Sequence, residues 1–266
     1  MGIDPIMALE PMKTTAESEV SATSVPDYFY SAASVIESDR YRWVMRDLDQ
    51  VEAQLKERFA RPAIRIQLAL KRLIDIVGGF ILIILLSPVL LLTALAVRLT
   101  SPGPIVFLHK RWSLCEGHFA CLKFRSMRVD QKQVFDSKEV KEIEKTGTLL
   151  KLDKDPRLTA IGSFIRKTSI DELPQLFNVL KGDMSLVGPR PLVLHMMQPY
   201  PKIRRVRCIM RPGITGLWQI RERENNTSVI GMMPHDVDYL LNFSLWLDCK
   251  ILLATLPAVL WGTGAV

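Results

Sequence analysis

The hydrophobic pattern of the chain is dominated by one uncharged run over residues 76–97. A run of about 20 apolar residues is long enough to cross a bilayer as a helix. Ser87 and Pro88 lie at its centre, where the proline removes a helical hydrogen bond and the serine hydroxyl can satisfy the freed carbonyl group. Basic residues flank the run on both sides, and the positive-inside rule assigns both flanks to the cytoplasm. We therefore predict a re-entrant helix–break–helix over residues 71–100, with a straight transmembrane helix as the alternative.

Two further segments have amphipathic patterns. Residues 41–70 combine charges with apolar positions near helical spacing, which predicts an amphipathic helix and a linker. Such a helix could lie on the membrane or against the partner subunit of a homodimer, or it could cover the globular core, and the pattern leaves these alternatives open. Residues 245–261 are apolar but interrupted by charges and a proline, which predicts an interfacial C-terminal helix with Trp246 and Trp261 at headgroup level.

The polar part of the chain, residues 101–266, alternates short patterns of both secondary-structure types. Residues 105–108 and 119–124 have the length and composition of strands, whereas the charged segment 130–145 predicts a solvated helix or loop. Apolar positions 173, 176, 177 and 180 fall on one face of a short helix, and Gly182 is the glycine expected at its end. These patterns predict an α/β fold that is rich in helix, with short strands, in one globular domain.

Charge and motifs narrow the class of protein. The formal net charge of +7 indicates an acidic partner, either nucleic acid or an anionic membrane. The sequence has no P-loop, no dinucleotide-binding fingerprint and no recognised nucleic-acid reader, so we expect no nucleic-acid partner. The 4 cysteines lack zinc-site spacing and are expected to be reduced in a cytosol-facing protein. Residues 1–6, which precede Met7, read as an expression scar, and residues 7–40 are predicted to be disordered.

Two neighbouring carboxylates, Asp171 and Glu172, stand directly before a helix that Pro174 can enter only in its first turn. On this pattern alone, Asp171 is explained as a helix N-cap. Arg166 upstream and Arg190 on a proline-rich turn downstream change that balance, because arginines near a helix N-terminus bind phosphate. Further cations that we assign to phosphate binding are Lys123, Arg125 and Arg211. The combination indicates a membrane-bound enzyme acting on a nucleotide diphosphate.

Several motifs occur in an order that resembles one family. These are KRLIDI before the Ser-Pro run, SPGPIVF, KFRSM, the block from DPRLTAIGSFIRKTSIDELPQLFNVLKG to DMSLVGPRP, and RPGITGLWQI. They resemble the bacterial sugar transferase family, the monotopic polyprenyl-phosphate phosphoglycosyl transferases, over residues 71–261. The sequence departs from the family pattern at Ser113 and Glu116, where the family has glycines, and at Glu222.

The resemblance implies an enzyme on the cytoplasmic face of the bacterial inner membrane. It would transfer a sugar-1-phosphate from a UDP-sugar to undecaprenyl phosphate, as the first membrane step of exopolysaccharide assembly. Asp171 would be the nucleophile and a ligand of Mg²⁺, Glu172 would orient the lipid phosphate or act as a base, and Arg166 and Arg190 would bind phosphate. At Trp218 the chain resembles family members that begin exopolysaccharide repeats with a hexose-1-phosphate, which favours glucose or galactose as the sugar. By the same resemblance, the phospho-sugar would be held covalently on Asp171 after UMP has left and until the lipid phosphate takes it. One alternative is a nucleotide-sugar diphosphate hydrolase, in which water attacks that covalent intermediate. The other is a catalytically silent membrane scaffold.

Overall fold

The computed structural model describes residues 47–128, 158–221 and 228–260. Several expectations fall on other residues and stay predictions. They are the expression scar at 1–6, the disordered segment 7–40, the first part of the amphipathic segment, the charged segment 130–145, the family difference at Glu222 and the headgroup-level anchor at Trp261.

The described chain is mostly helical with short strands, as predicted. The helices are α1 (Leu48–Ala60), α2 (Pro62–Thr100), α3 (Ala160–Lys167), α4 (Gln175–Lys181), α5 (Leu194–Met197), α6 (Pro201–Arg207), α7 (Leu217–Arg221), α8 (Val229–Leu241) and α9 (Leu245–Leu260). The strands are β1 (Val106–Trp112), β2 (His118–Phe124), β3 (Ser185–Val187) and β4 (Gly213–Thr215). Strands β1 and β2 form an antiparallel hairpin, and β3 and β4 form a separate parallel pair.

The apolar run forms part of α2, a helix of 39 residues that continues through Pro88. The structure therefore differs from the predicted interruption of the helix. The predicted role of the serine is confirmed, because the Ser87 hydroxyl donates to the carbonyl oxygen of Ile84 at 2.8 Å. That carbonyl is the one that would accept from residue 88, and proline has no N–H to offer. Within the described ranges, α2 is the one helix long and apolar enough to cross a membrane.

The N-terminal half of α2 is attached to the globular part by charged side chains. Lys71 forms a buried ion pair with Asp248 of α9, at 2.6 Å. Arg72 donates to two carbonyl oxygens in the last turn of α4, at 2.6 and 2.9 Å. The Asp75 carboxylate accepts a hydrogen bond of 3.0 Å from the Ser185 hydroxyl on β3. These three contacts fix the KRLID segment to three different elements.

The C-terminal half of α2 is attached to the same globular part. Val97 is buried in a small cluster with Phe124 of β2 and Ile165 of α3. The Arg125 guanidinium donates to the carbonyl oxygen and the hydroxyl of Ser101, at 2.5 and 2.9 Å. Both ends of the helix thus contact one domain, and many of the apolar side chains between them are exposed. They include Phe80, Ile81, Ile84, Leu85, Leu91 and Leu92.

Helix α1 covers the globular core. Val51, Leu55 and Phe59 are buried in the main hydrophobic cluster, and α1 packs against α6 and α8. Of the three alternatives for this segment, the structure supports the core-covering helix. The predicted linker is absent, because Arg61 is the single extended residue between α1 and the start of α2 at Pro62.

Candidate active site

The two carboxylates lie on a tight turn that leads into α4. Ser169 has a left-handed backbone, with φ of 57°, and reverses the chain after α3. Ile170–Glu172 then form one turn of 3₁₀ helix, and the helical backbone of Pro174 continues it into α4. The prediction that Asp171 caps α4 is therefore wrong. Pro174 occupies the N-cap position and no side chain caps this helix, so Asp171 is left available for other contacts.

A single asparagine fixes this turn against the β1–β2 hairpin. Asn178 of α4 is buried and accepts a 2.9 Å hydrogen bond from the main-chain N–H of Leu122. Its amide group donates to the carbonyl oxygen of Ala120 at 2.8 Å. These two bonds hold α4 beside β2 and bring Lys123 to the carboxylates.

Among the residues that the structure describes, Lys123 and Arg190 contact Glu172, and Lys123 also faces Asp171. The Lys123 ammonium lies 2.6 Å from Glu172 Oε1 and 3.8 Å from Asp171 Oδ2. Arg190 donates to the same Glu172 oxygen at 3.3 Å. Arg166 lies on α3 with its Nε donating to the Ser126 hydroxyl at 2.9 Å, and its charge stabilises ionised Asp171. Three of the predicted site residues, Lys123, Arg166 and Arg190, thus surround the turn that carries the pair.

Burial governs the protonation of Asp171. The residue is 7 % exposed, and this burial raises the pKa of its carboxyl above the ordinary value. The Lys123 charge opposes that rise more strongly than the other cations, whereas the neighbouring charge of Glu172 adds to it. Asp171 is therefore a poorly solvated carboxylate facing a positive charge, without a close hydrogen bond to that charge.

Arg190 is carried by a turn that two parallel strands hold in place. The main-chain N–H of Gly188 donates to Thr215 and that of Gly213 donates to Pro189, each at 2.9 Å. A Cβ atom at position 188 or 213 would lie closer than 3.0 Å to the opposite backbone, so the two segments require glycine here. The guanidinium of Arg190 lies 5.9 Å from the ring centre of Trp218.

This geometry agrees with what comparison of the sequence shows. Residues 66–262 match the model of the family described as bacterial sugar transferase. The chain belongs to the bacterial sugar transferase family. The match includes the carboxylate pair, every predicted phosphate-binding residue and, apart from the first four residues of α2, all described helices after α1.

Named relatives share the same region. The chain is 46% identical over 195 residues to galactosyl transferase CpsE of Streptococcus agalactiae, covering 73% of this chain and 43% of that protein. It is 42% identical to an undecaprenyl-phosphate galactose phosphotransferase of Salmonella typhimurium, over 74% of this chain and 41% of the relative. It is 40% identical to a UDP-glucose:undecaprenyl-phosphate glucose-1-phosphate transferase of Caulobacter vibrioides, over 71% and 69%. The chain spans less than half the length of the first two of these relatives.

Two of the predicted phosphate ligands have other contacts. The Arg125 guanidinium is 5 % exposed and donates to Ser101 and to the carbonyl oxygen of Pro104, so it supports the C-terminal end of α2. Arg211 donates from Nε to the carbonyl oxygen of Gly182 at 2.8 Å. Gly182 ends α4, whereas the carboxylates precede its start, so this contact lies at the opposite end of the helix. Burial and hydrogen bonding thus give both arginines structural contacts, and their assignment to phosphate binding stays a prediction.

Sequence reasoning missed the hairpin face that borders the site. Phe107, His109 and Arg111 are the cross-strand partners of Lys123, Cys121 and Phe119, so these six side chains share one face. Arg111 donates to the carbonyl oxygen of Pro191 at 3.2 Å, and burial lowers the pKa of His109 to about 4, which keeps its imidazole neutral. The signal that could have found them is the alternation of side chains along a strand. Every second residue of β1, counted from the partner of Lys123, lies on the same face as Lys123.

The loop that departs from the family pattern compensates for its missing glycines. Glu116 has a φ of 56°, a conformation that glycine adopts without cost. Its carboxylate forms an ion pair of 2.5 Å with Arg204 of α6. At the other replaced position, the Ser113 hydroxyl donates to the carbonyl oxygen of Asp183 at 3.0 Å. Each replacement therefore introduces a contact that glycine could not make.

Proposed function

We propose that this protein transfers a sugar-1-phosphate from a UDP-sugar to undecaprenyl phosphate. The observation that carries the proposal is the Asp171–Glu172 pair, held against Lys123 and Arg190 beside the membrane helix. Ile170, the neighbour of Asp171, packs on the cluster that buries Val97 of α2. A phosphate group at the surface of the bilayer would therefore meet the carboxylates where the helix enters the domain.

The first step is attack by Asp171. A carboxylate oxygen of Asp171 bonds to the β-phosphorus of the UDP-sugar, the bond from that phosphorus to the bridging oxygen breaks, and UMP leaves with the electron pair. The poorly hydrated carboxylate is a stronger nucleophile than one in water. Lys123, 3.8 Å from Asp171, favours its ionised form and can neutralise charge on the transferring phosphoryl group.

The second step releases the product. An oxygen of undecaprenyl phosphate attacks the same phosphorus, the aspartyl–phosphorus bond breaks, and Asp171 is restored as a carboxylate. The product is the sugar joined to the lipid through a diphosphate. Glu172, fixed by Lys123 and Arg190, is placed to orient the incoming phosphate, and Arg166 and Arg190 supply positive charge.

Mg²⁺ belongs to this proposal. In the described part of the chain, no group of three His, Cys, Asp or Glu side chains could hold a metal ion alone. Mg²⁺ is commonly bound by one or two carboxylates together with substrate phosphates and water, and Asp171 fits such a partial site. When bound, the ion would neutralise charge on the diphosphate.

The contacts of α2 favour a monotopic arrangement, and the basic residues on both sides of the apolar run favour the cytoplasmic face. A helix that crosses the bilayer once puts its two ends on opposite sides, yet both ends of α2 contact one globular domain. We infer that α2 enters the membrane and returns through a bend at Pro88, within a helix that stays continuous. Exposed Trp246, Leu253 and Leu256 of α9 offer a second apolar surface to the lipid. Cysteine labels at Ser38 and Lys138 should both react only from the cytoplasm, and periplasmic labelling at Ser38 would contradict this topology.

The assay that tests the reaction measures UMP release from UDP-sugars with and without undecaprenyl phosphate. Lipid-dependent release with formation of a diphospholipid supports transfer. Continuous lipid-independent release would support the hydrolase, and no release with any sugar would support the scaffold. We expect glucose or galactose as the sugar, since the names of the relatives include both.

A further inference from the structure

A buried ion pair lies behind the turn that carries Arg190. Arg207, the last residue of α6, and Asp236 of α8 approach to 2.8 Å, and their side chains are 2% and 3% exposed. Neither residue contacts the carboxylate pair. Burial raises the pKa of Asp236, while the Arg207 charge opposes that rise.

The same arginine holds the main chain of the active site. Arg207 donates from its second terminal nitrogen to the carbonyl oxygen of Arg190, at 2.9 Å. Arg190 in turn donates from its side chain to Glu172, at 3.3 Å. A continuous series of polar contacts therefore runs from Asp236 through Arg207 and Arg190 to Glu172.

Backbone hydrogen bonds from Gly188 and Gly213 hold this turn to β4, but they leave the Arg190 carbonyl oxygen for another donor. A small cavity of about 10 Å³ beside it is lined by residues that include Pro189, Arg190, Leu192 and Arg207. The prolines on both sides of Arg190 fix their own φ angles but leave the orientation of the Arg190 carbonyl to its partner. An arginine can bind that carbonyl with one nitrogen and a carboxylate with the other.

A buried ion pair adds little net stability, because removing both charges from water costs free energy that their attraction only partly offsets. Apolar residues of similar volume stabilise a fold equally well. We propose that Arg207 and Asp236 are positioning residues, which set the guanidinium of Arg190 for contact with Glu172 and with the substrate phosphate. Asp236 fixes the rotamer of Arg207, and Arg207 fixes the Arg190 carbonyl. This inference rests on the proposed transfer reaction, and it assigns a role in that reaction to two residues outside the site.

The test is a double-mutant cycle between Arg207→Lys and Arg190→Ala, measured as kcat for lipid-dependent UMP release. A lysine keeps the charge beside Asp236 but cannot bind both partners with its single nitrogen. We expect Arg207→Lys to lower kcat by about 10- to 100-fold in the wild-type background, since small misplacements of active-site groups have effects of this size. In the Arg190→Ala background, the same change should have an effect of less than about 3-fold.

Equal fold-changes in both backgrounds would overturn the inference, because a general structural role acts whether or not Arg190 is present. Arg205→Lys is the matched control, since Arg205 lies on the same helix and pairs with Glu52 of α1. It should leave kcat unchanged. If Arg207→Lys does not fold, Asp236→Asn replaces it in the cycle with the same expectations. Continuous wild-type UMP release that needs the lipid, together with an additive cycle, would reject this inference alone, whereas continuous release without the lipid would reject the proposed function.

Discussion

Asp171 and Asp248 are two buried aspartates that differ in their partners. Their side chains are exposed to 10% and 9%, and burial raises the pKa of both. Asp248 has a partner on each oxygen, with Lys71 at 2.6 Å and the Tyr239 hydroxyl at 2.8 Å. Asp171 faces Lys123 at 3.8 Å, beyond hydrogen-bonding distance. Burial and a raised pKa are thus common to both, and the distance to the partners distinguishes the structural carboxylate of Asp248 from the proposed nucleophile Asp171.

The largest effect is expected from Asp171→Asn. The amide is a far weaker nucleophile, so turnover should fall by about 10,000-fold or more. The fold should survive, because the neutral side chain has the same shape and avoids the cost of a buried charge. UMP release and thermal unfolding measured on the same preparation check both statements. Near-normal release would place Asp171 in the same structural class as Asp248.

Asp248→Asn should reduce the stability of the fold and leave the chemistry of the folded protein intact. The change leaves the buried Lys71 ammonium without its carboxylate, and breaking a buried ion pair costs about 3–5 kcal/mol. We expect a clear loss in the free energy of unfolding and no selective loss of the covalent step in the folded fraction. Asp49→Asn is the control, since Asp49 pairs with Lys202 on the surface and should have little effect on unfolding. A fully stable but inactive Asp248→Asn would remove the contrast between the two aspartates.

Lys123→Gln should shift the acid limb of the pH–rate profile to higher pH. Asp171 must be ionised to attack, and a raised pKa means that it loses this charge at a higher pH than an ordinary aspartate does. Lys123 is the strongest influence that lowers the pKa of Asp171, so its removal raises that pKa further. The rate of the first half-reaction should therefore fall off at higher pH in the variant than in the wild type. An unmoved limb would show that Lys123 does not act on Asp171.

The smallest effect is expected from Glu116→Gly, far from either aspartate. Glycine relieves the φ of 56° but loses the ion pair with Arg204. These contributions oppose each other, so the free energy of unfolding should change by less than about 1 kcal/mol. Thermal unfolding and UMP release should both stay close to the wild type. A large loss of activity would show that this loop contributes to the substrate site.

Local chemistry in the sequence predicted several features of the structure. Gly182 ends α4 with a φ of 97°, as the pattern indicated, and Ser87 satisfies the carbonyl that Pro88 leaves open. These features depend on residues within one or two turns of each other. The N-cap prediction for Asp171 failed for the same local reason, since Pro174 tolerates a helical backbone and lets the 3₁₀ turn continue into α4.

The partners of each arginine could not be predicted in this way. Arg125 and Arg190 are the same residue type, and the sequence led to the same prediction of phosphate binding for both. The fold places Arg125 against carbonyl oxygens at the end of α2 and places Arg190 against Glu172. The contacts of Lys123 with Glu172 join residues that are 49 positions apart. Such pairs are decided by tertiary packing, which one sequence does not display.

The central claim is that Asp171 forms a covalent bond to phosphorus. Intact-protein mass spectrometry after mixing with UDP-sugar and Mg²⁺, without undecaprenyl phosphate, tests it most directly. We expect the wild type to gain the mass of one sugar phosphate, and to lose it again when undecaprenyl phosphate is added. Asp171→Asn should gain nothing, while its unfolding temperature stays close to that of the wild type. The same mass gain on Asp171→Asn would contradict the assignment of this residue as the nucleophile.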